Sequence, residues 1–198
     1  MRAAIGMAMH RRHRKKLPGL WLITDERVPD DALLAAAARL LRGQAGIIFR
    51  HYRTEARAGR ELFEALRVIA RRRRLVLLLA GDRRDAAAWK ADGWHGRAHL
   101  GRGWEPLRRS MIRSVPAHDG REIVTARRAG ADMLLLSPLF PTRSHPGAPA
   151  LGRVRFAALA RQADCAVMAL GGVKAEHRKM LRGIGADGWA AIDGLVLV

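Results

Sequence analysis

The chain has one cysteine, one tyrosine, four phenylalanines and five lysines in 198 residues. With Cys165 alone, no intrachain disulfide can form, and the chain suits a reducing compartment, the cytoplasm. Lying in an apolar run, Cys165 reads as a small core residue. No uncharged apolar stretch reaches the roughly 18 residues of a membrane span, so no helix is expected to cross a membrane. A secretory signal is not expected either, because the basic cluster from His10 to Lys16 follows the weakly apolar residues instead of preceding them. The scarcity of aromatics also bears on the net charge of +19. Such a charge suggests a nucleic-acid partner, with Arg11 to Lys16 and Arg71 to Arg74 as its footprint. The basic residues, however, are spread over most predicted helices, and no aromatic side chains interleave with them to stack on bases. A nucleic-acid partner is therefore not expected; it would require a continuous basic face. Arginines on solvated helix faces explain the charge, and an affinity for phosphates follows from it.

Apolar residues make up 49% of the chain, enough for one sizeable core. Apolar runs of strand length occur at residues 20–24, 46–49, 75–80, 93–95, 111–115, 133–136, 166–170 and 188–192. Between them, residues 30–42, 54–73, 83–91, 118–129, 153–163 and 174–183 carry apolar residues at helical spacing. Continuous apolar strands separated by helices predict a parallel sheet covered on its outer face. Ala-Asp precedes a predicted strand three times, at Ala91-Asp92, Ala131-Asp132 and Ala186-Asp187. Gly130 and Gly185 come first in two of these, suiting a helix C-cap and a turn into the next strand. These units predict a single (β/α)8 TIM barrel over residues 17–198, behind a basic extension of residues 1–16. A doubly wound sheet would show a glycine-rich turn after its first strand, and here that turn is Thr24-Asp25-Glu26-Arg27. The residues after the last strand are too few for the usual eighth helix. The flank left open is expected to be covered by residues 1–16 or by a second copy of the chain in a homodimer. Residues 94–109 lack periodicity and read as an extended loop.

In such a barrel, chemistry belongs at the C-terminal ends of the strands. Those ends carry Asp25, Arg50, His51, Asp82, His95, His118, the polar stretch from Ser137 to His145, Gly171-Gly172 and Ile192-Asp193. The stretch from Ser137 is a long Pro- and Gly-rich loop delivered by a buried strand, which marks a site more than a connector. Glycine turns after strands seven and eight are the phosphate cradle of this fold.

Several segments together resemble the thiamine-phosphate synthases and their sister group, the TenI-type thiazole tautomerases. They include Leu22-Ile23-Thr24-Asp25, Arg50, Asp82, His118, Ser137-Pro138-Leu139-Phe140-Pro141-Thr142, Leu151-Gly152 and Ala169-Leu170-Gly171-Gly172-Val173, in order from about Leu20 to Asp193. The resemblance implies a barrel that couples hydroxymethylpyrimidine diphosphate to a thiazole phosphate, releasing pyrophosphate with Mg²⁺. It implies that Arg50 binds pyrophosphate and Asp82 ligates the metal. It further implies that Thr142, Ser144 and His145 meet the thiazole side, while Gly171, Gly172, Ile192 and Asp193 surround its phosphate.

This chain also departs from the family pattern. A glutamine and a lysine two positions either side of Arg50 are replaced by Ile48 and Tyr52, an asparagine by Gly81, and a lysine by His145. Trp104, or Glu105 with a shifted loop, stands where a second metal aspartate belongs. Pro116 replaces a serine, and Asp193 puts a negative charge near a phosphate. Fewer cations and one fewer metal carboxylate weaken the hold on a departing pyrophosphate, so a synthase of weakened turnover is expected. Two alternatives stand beside it. A tautomerase needs no metal, only a proton shuttle beside a bound phosphate, and His118 suits that task because histidine titrates near about pH 6.5. A non-catalytic phosphate-binding homologue would account for Ile48, Tyr52, Pro116 and Asp193 together. Asp82 also reads as a helix cap, Arg50 as the ion-pair partner of Asp25 or Asp82, and the tryptophans as packing.

Overall fold

The structure, a computed structural model, describes residues 16–97, 111–142, 149–192 and 195. Eight strands form a closed, all-parallel barrel in sequence order: β1 (Leu20–Ile23), β2 (Ala45–Phe49), β3 (Val76–Ala80), β4 (Gly93–His95), β5 (Ile112–Ala117), β6 (Met133–Leu136), β7 (Ala166–Ala169) and β8 (Gly188–Ala191). β8 closes on β1 with Leu22 opposite Ala191. Around them run α1 (Asp30–Arg39), α2 (Ala56–Arg73), α3 (Arg83–Ala88), α4 (Gly120–Arg128), α5 (Gly152–Ala160) and α6 (Arg178–Gly183).

α2 and α4 start two residues inside the predicted segments and α3 at its predicted first residue, each where a side chain caps it. Glu55 accepts the amides of Arg57 and Ala58, Asp82 that of Asp85, and Asp119 that of Glu122, each at 2.9 Å. The segment predicted as one helix over 174–183 divides into a 3-10 turn, Ala175–His177, followed by α6. Here the His177 ring accepts the Lys174 amide at 3.1 Å.

Strand alternation sorts the side chains into three clusters. Trp21, Ile23, Ile48, Leu78, Met133, Leu135, Met168 and Ala190 form a cluster with no helix residue, which is the barrel interior. The alternate residues, such as Leu22, Phe49, Leu77, Val115 and Val167, pack outward against the helices in two further clusters. Trp21 fills the barrel floor above Leu17 and donates from Nε1 to the Pro18 carbonyl at 2.8 Å. Gly46 makes room for it, since a Cβ there would lie 2.4 Å from the indole. Cys165 is buried in the turn just before β7.

The Ala-Asp repeat has a structural meaning. The carboxylates of Asp92, Asp132 and Asp187 each accept a strand amide, from Leu77, Arg113 and Val167, at 2.8–2.9 Å. The same aspartates donate their own amides to the carbonyls of those three residues. The repeat thus locks β3 to β4, β5 to β6 and β7 to β8 at the barrel floor. At the seam of β8 and β1, Leu195 and Leu20 pack against both helix-side clusters, on the flank where an eighth helix would lie. Residues 1–15, the greater part of the predicted extension, lie outside the described residues. No helix among the described residues is long and apolar enough to cross a membrane.

Candidate functional site

The C-terminal ends of the strands, at the barrel mouth, gather the charged side chains. Asp25, one residue past the outward-facing Thr24, turns inward and is nearly buried. Its Oδ1 accepts Arg27 Nε at 2.7 Å, and its Oδ2 accepts Arg27 Nη2 at 2.8 Å and Arg50 Nη2 at 3.0 Å. Hydrogen bonding from Arg27 outweighs burial and holds this carboxyl well below the usual carboxylate range, with the Arg27 and Arg50 charges assisting. Arg50 is fixed from its backbone as well, since its amide donates to Thr24 Oγ1 at 2.8 Å. The neighbouring loop is latched by Glu26, whose Oε1 accepts the amides of Arg53 and Thr54 and the Thr54 hydroxyl. Burial opposes ionisation of Glu26, but these donors outweigh it and lower its pKa.

Strand alternation separates the histidines at the ends of β2 and β4. His51 faces outward, stacked on Phe49 at 4.5 Å, with Nδ1 3.0 Å from Thr54 Oγ1. Burial lowers its pKa. His95 faces inward at the end of β4, 8% exposed, with Nδ1 2.9 Å from Ser114 Oγ of β5. Burial first, then the Arg50 charge, pulls its pKa down to about 4, so the ring is neutral at neutral pH. Pro116 falls inside β5, one residue beyond the predicted strand end at Val115, and pairs with Leu135. The Ser114 carbonyl faces β4 and accepts the Gly96 amide. Pro116 faces the same way, past the end of short β4, so its missing N–H leaves no ladder bond unmade.

Of the residues singled out from sequence, Arg50 stands in the mouth on Asp25, with its side chain 28% exposed. Asp82 follows β3 and caps α3 with Oδ1; its surface is exposed. His118 follows β5 with its side chain 55% exposed, and both its amide and its Nδ1 meet Glu122 Oε2, the ring nitrogen at 2.9 Å. Gly171 and Gly172 follow β7 at positive φ, 92° and 62°. They lie directly under the loop after β6. Leu139 N donates to Leu170 O at 2.8 Å and Phe140 N to Gly171 O at 3.0 Å. A Cβ at Gly171 would stand 2.7 Å from Pro138, and one at Gly172 2.6 Å from the Pro141 carbonyl. Among the described residues neither glycine N–H has a protein acceptor, leaving both as donors for an anion. Thr142 is half-buried where the described part of that loop ends. Ile192 places its side chain in the barrel interior, so only its backbone is available to a ligand. Ser144, His145 and Asp193 lie outside the described residues, as do His99, Trp104 and Glu105.

Of the two ion-pair partners the sequence offers Arg50, the structure selects Asp25; Asp25's hold on Arg27, Ser114 as partner of His95 and Glu122 as partner of His118 are found only in the structure. The i, i+4 spacing of His118 and Glu122 on a helix start was the legible signal. The His95–Ser114 pair joins different strands and has no such signature. Trp89 packs against Phe49 and Phe63 under the Arg60 guanidinium, and Trp94 lies under Arg113, so both are packing residues. Trp189 is buried in an outer cluster.

A closed parallel barrel with cations and a glycine turn gathered at its C-terminal mouth defines a TIM-barrel protein. Residues 20–195 match the family model described as thiamine monophosphate synthase, and the chain belongs to that family. It is 32% identical to a thiamine-phosphate synthase of Syntrophomonas wolfei, with 89% of this chain and 88% of that one covered. It is 28% identical to the bifunctional thiamine biosynthesis protein ThiED of Geobacter sulfurreducens, covering 93% of this chain and 38% of that larger protein. A solved thiamine phosphate pyrophosphorylase from Pyrococcus furiosus shares the fold, with a TM-score of 0.73, 24% identity, and 93% and 90% of the two chains covered.

Proposed function

We propose that this protein forms thiamine phosphate in the cytoplasm, coupling hydroxymethylpyrimidine diphosphate to a thiazole phosphate with release of pyrophosphate, at reduced turnover. The observation that carries this reading is Arg50 held on Asp25 in the mouth of a family barrel. As the bond from the pyrimidine methylene to the diphosphate oxygen breaks, negative charge gathers on the leaving group and positive charge on the methylene. Arg50 is placed to meet the former, and its tether to Asp25 lowers the reorganisation it needs. The amides of Gly171 and Gly172 hold the thiazole phosphate, which brings the thiazole nitrogen to the methylene. Asp82 would hold Mg²⁺. Its Oδ1 is occupied by the helix cap, so one carboxylate oxygen is left for a metal otherwise bound by diphosphate and water, which is how magnesium is commonly shared with substrate. Bound there, the metal would supply further neutralisation of the leaving diphosphate. Among the described residues no three carboxylate, histidine or cysteine groups gather to form a protein-only metal site. Reduced turnover follows from two substitutions. Ile48 is buried in the barrel core and Tyr52 is exposed, and neither provides a charge beside Arg50.

A second reading, thiazole tautomerisation, is favoured by the exposed His118–Glu122 pair, in which a carboxylate orients an imidazole at the mouth. The test is thiamine-phosphate formation by purified protein with both substrates and Mg²⁺, beside an Arg50→Ala/Asp82→Ala double variant and a His118→Asn variant. Turnover lost in the double variant and kept in His118→Asn supports the synthase. No turnover in the parent refutes it. Tautomerase activity lost in His118→Asn would then establish the second reading.

A further inference from the structure

Arginines stand at both ends of the helices, but the carboxylates of the helix ends stand at one. Each helix of a parallel barrel runs back against the strands, so its last turn lies beside the start of the next strand, at the end remote from the mouth. Those turns carry Arg39, Arg71, Arg72, Arg127, Arg128 and Arg182, all exposed. None of the six has a carboxylate in ion-pair range among the described residues. The pairs of Arg27 and Arg50 with Asp25 lie at the mouth, and those of Arg57, Arg60 and Arg67 along the flank of α2. The opposite helix ends mix both signs, with Asp30, Asp31, Asp85 and Glu122 in first turns beside Arg57, Arg83, Arg84, Arg121 and Arg153. On the floor itself Asp92, Asp132 and Asp187 are engaged by strand amides.

Helix dipoles favour a cation in a last turn, but they do not explain Arg74 and Lys90. Both are exposed at the floor in the left-handed conformation, at φ 54° and 57°. After α1, α4 and α6 the left-handed residue is a glycine, Gly43, Gly130 or Gly185, which adopts it without steric cost. At positions 74 and 90 the chain keeps a cation against its backbone preference. Among the described residues the floor has no exposed aromatic to serve as a stacking platform either. Tyr52 is the one aromatic among the exposed large apolar side chains of the described residues, and it follows β2 at the mouth. Cations without aromatics suit the phosphates of a duplex better than the splayed bases of a single strand.

We propose that the barrel end opposite the mouth binds double-stranded nucleic acid through its phosphates, without base readout. The inference stands independently of the reaction at the mouth. It is tested with the full chain and a labelled DNA duplex of about 24 base pairs, by anisotropy between about 50 and 300 mM salt. The expected result is a linear fall of log K with log salt. An Arg74→Gly/Lys90→Gly variant should weaken binding about tenfold and flatten the slope by about 2, one per lost phosphate contact. The same variant should melt at a higher temperature, because glycine relieves both left-handed positions; binding and stability moving in opposite directions is a result misfolding does not give. A charge-matched Arg84→Ser/Arg121→Ser variant, at the mouth end, should keep the parental slope. No duplex binding by the parent at about 50 mM salt would overturn the proposal. So would an equal loss in the charge-matched variant, an unchanged slope in the glycine variant, or tighter binding of a single strand of the same length.

Discussion

Replacing Asp25 by asparagine keeps the shape of the side chain and one acceptor oxygen but removes the charge on which two guanidinium groups converge. Hydrogen bonds to charged groups contribute about 1.5–3 kcal/mol each when shielded. The Arg27 side chain is 63% exposed and that of Arg50 28% exposed, against 9% for Asp25. Solvent screening reduces the Arg27 share to about 0.5 kcal/mol. With the better-shielded Arg50 contact, the expected loss is about 2 kcal/mol, or roughly 4–8 °C in Tm for a domain of this size. The pH dependence gives the sharper test. A carboxyl whose folded pKa is depressed contributes stability that is complete above its unfolded value and is lost as pH falls toward the folded one. The deficit of Asp25→Asn should therefore be constant from neutral pH down to the ordinary carboxylate value of 3.8. Below that it should close at about 1.4 kcal/mol per pH unit. Urea unfolding of both proteins at a series of pH values measures this. Equal stability at pH 7, or a deficit that stays constant as pH falls below 3.8, would refute the argument that charge at Asp25 holds the mouth together.

Gly46→Ala should destabilise the barrel by about 1–3 kcal/mol, read from the denaturation midpoint, because its Cβ would overlap the Trp21 indole on the floor. Gly172→Ala, at φ 62° and with its Cβ close to the Pro141 carbonyl, should displace the loop after β6 and raise KM for the thiazole phosphate more than for the diphosphate; equal effects on both would place the cradle elsewhere. For His95 the linkage has its own window. A histidine whose folded pKa lies near 4, against 6.5 in the unfolded chain, contributes stability that is complete above pH 6.5 and lost as pH falls toward 4. His95→Gln should flatten the stability profile across that window, and an imidazole resonance titrating near pH 6.5 in the folded parent would show that the ring is not sequestered.

The barrel itself was legible along the chain. Eight apolar runs separated by segments of helical period leave few parallel topologies, and each run became a strand, even the three-residue β4. The Ala-Asp repeat marked every second strand start because a carboxylate one residue before a strand reaches the amide of the strand beside it. Arg50, Asp82, His118 and the Gly171-Gly172 turn could be assigned to the mouth from their position after a strand alone. Residue order also makes Gly171-Gly172 a turn, since only glycine adopts two successive positive φ angles cheaply.

Partnership was decided in three dimensions. The sequence offered Arg50 either Asp25 or Asp82; strand register selects Asp25, 25 residues away, and brings His95 to Ser114, 19 away, within hydrogen-bond range. The inward or outward facing of His51 and His95 follows from the strand alternation that only a closed sheet fixes. The charge of the helices shows the same division. Sequence gives its amount and spreads it over nearly every helix, whereas the barrel aligns the helices and brings their last turns to one end, so a scatter along the chain becomes a polarity of the folded molecule.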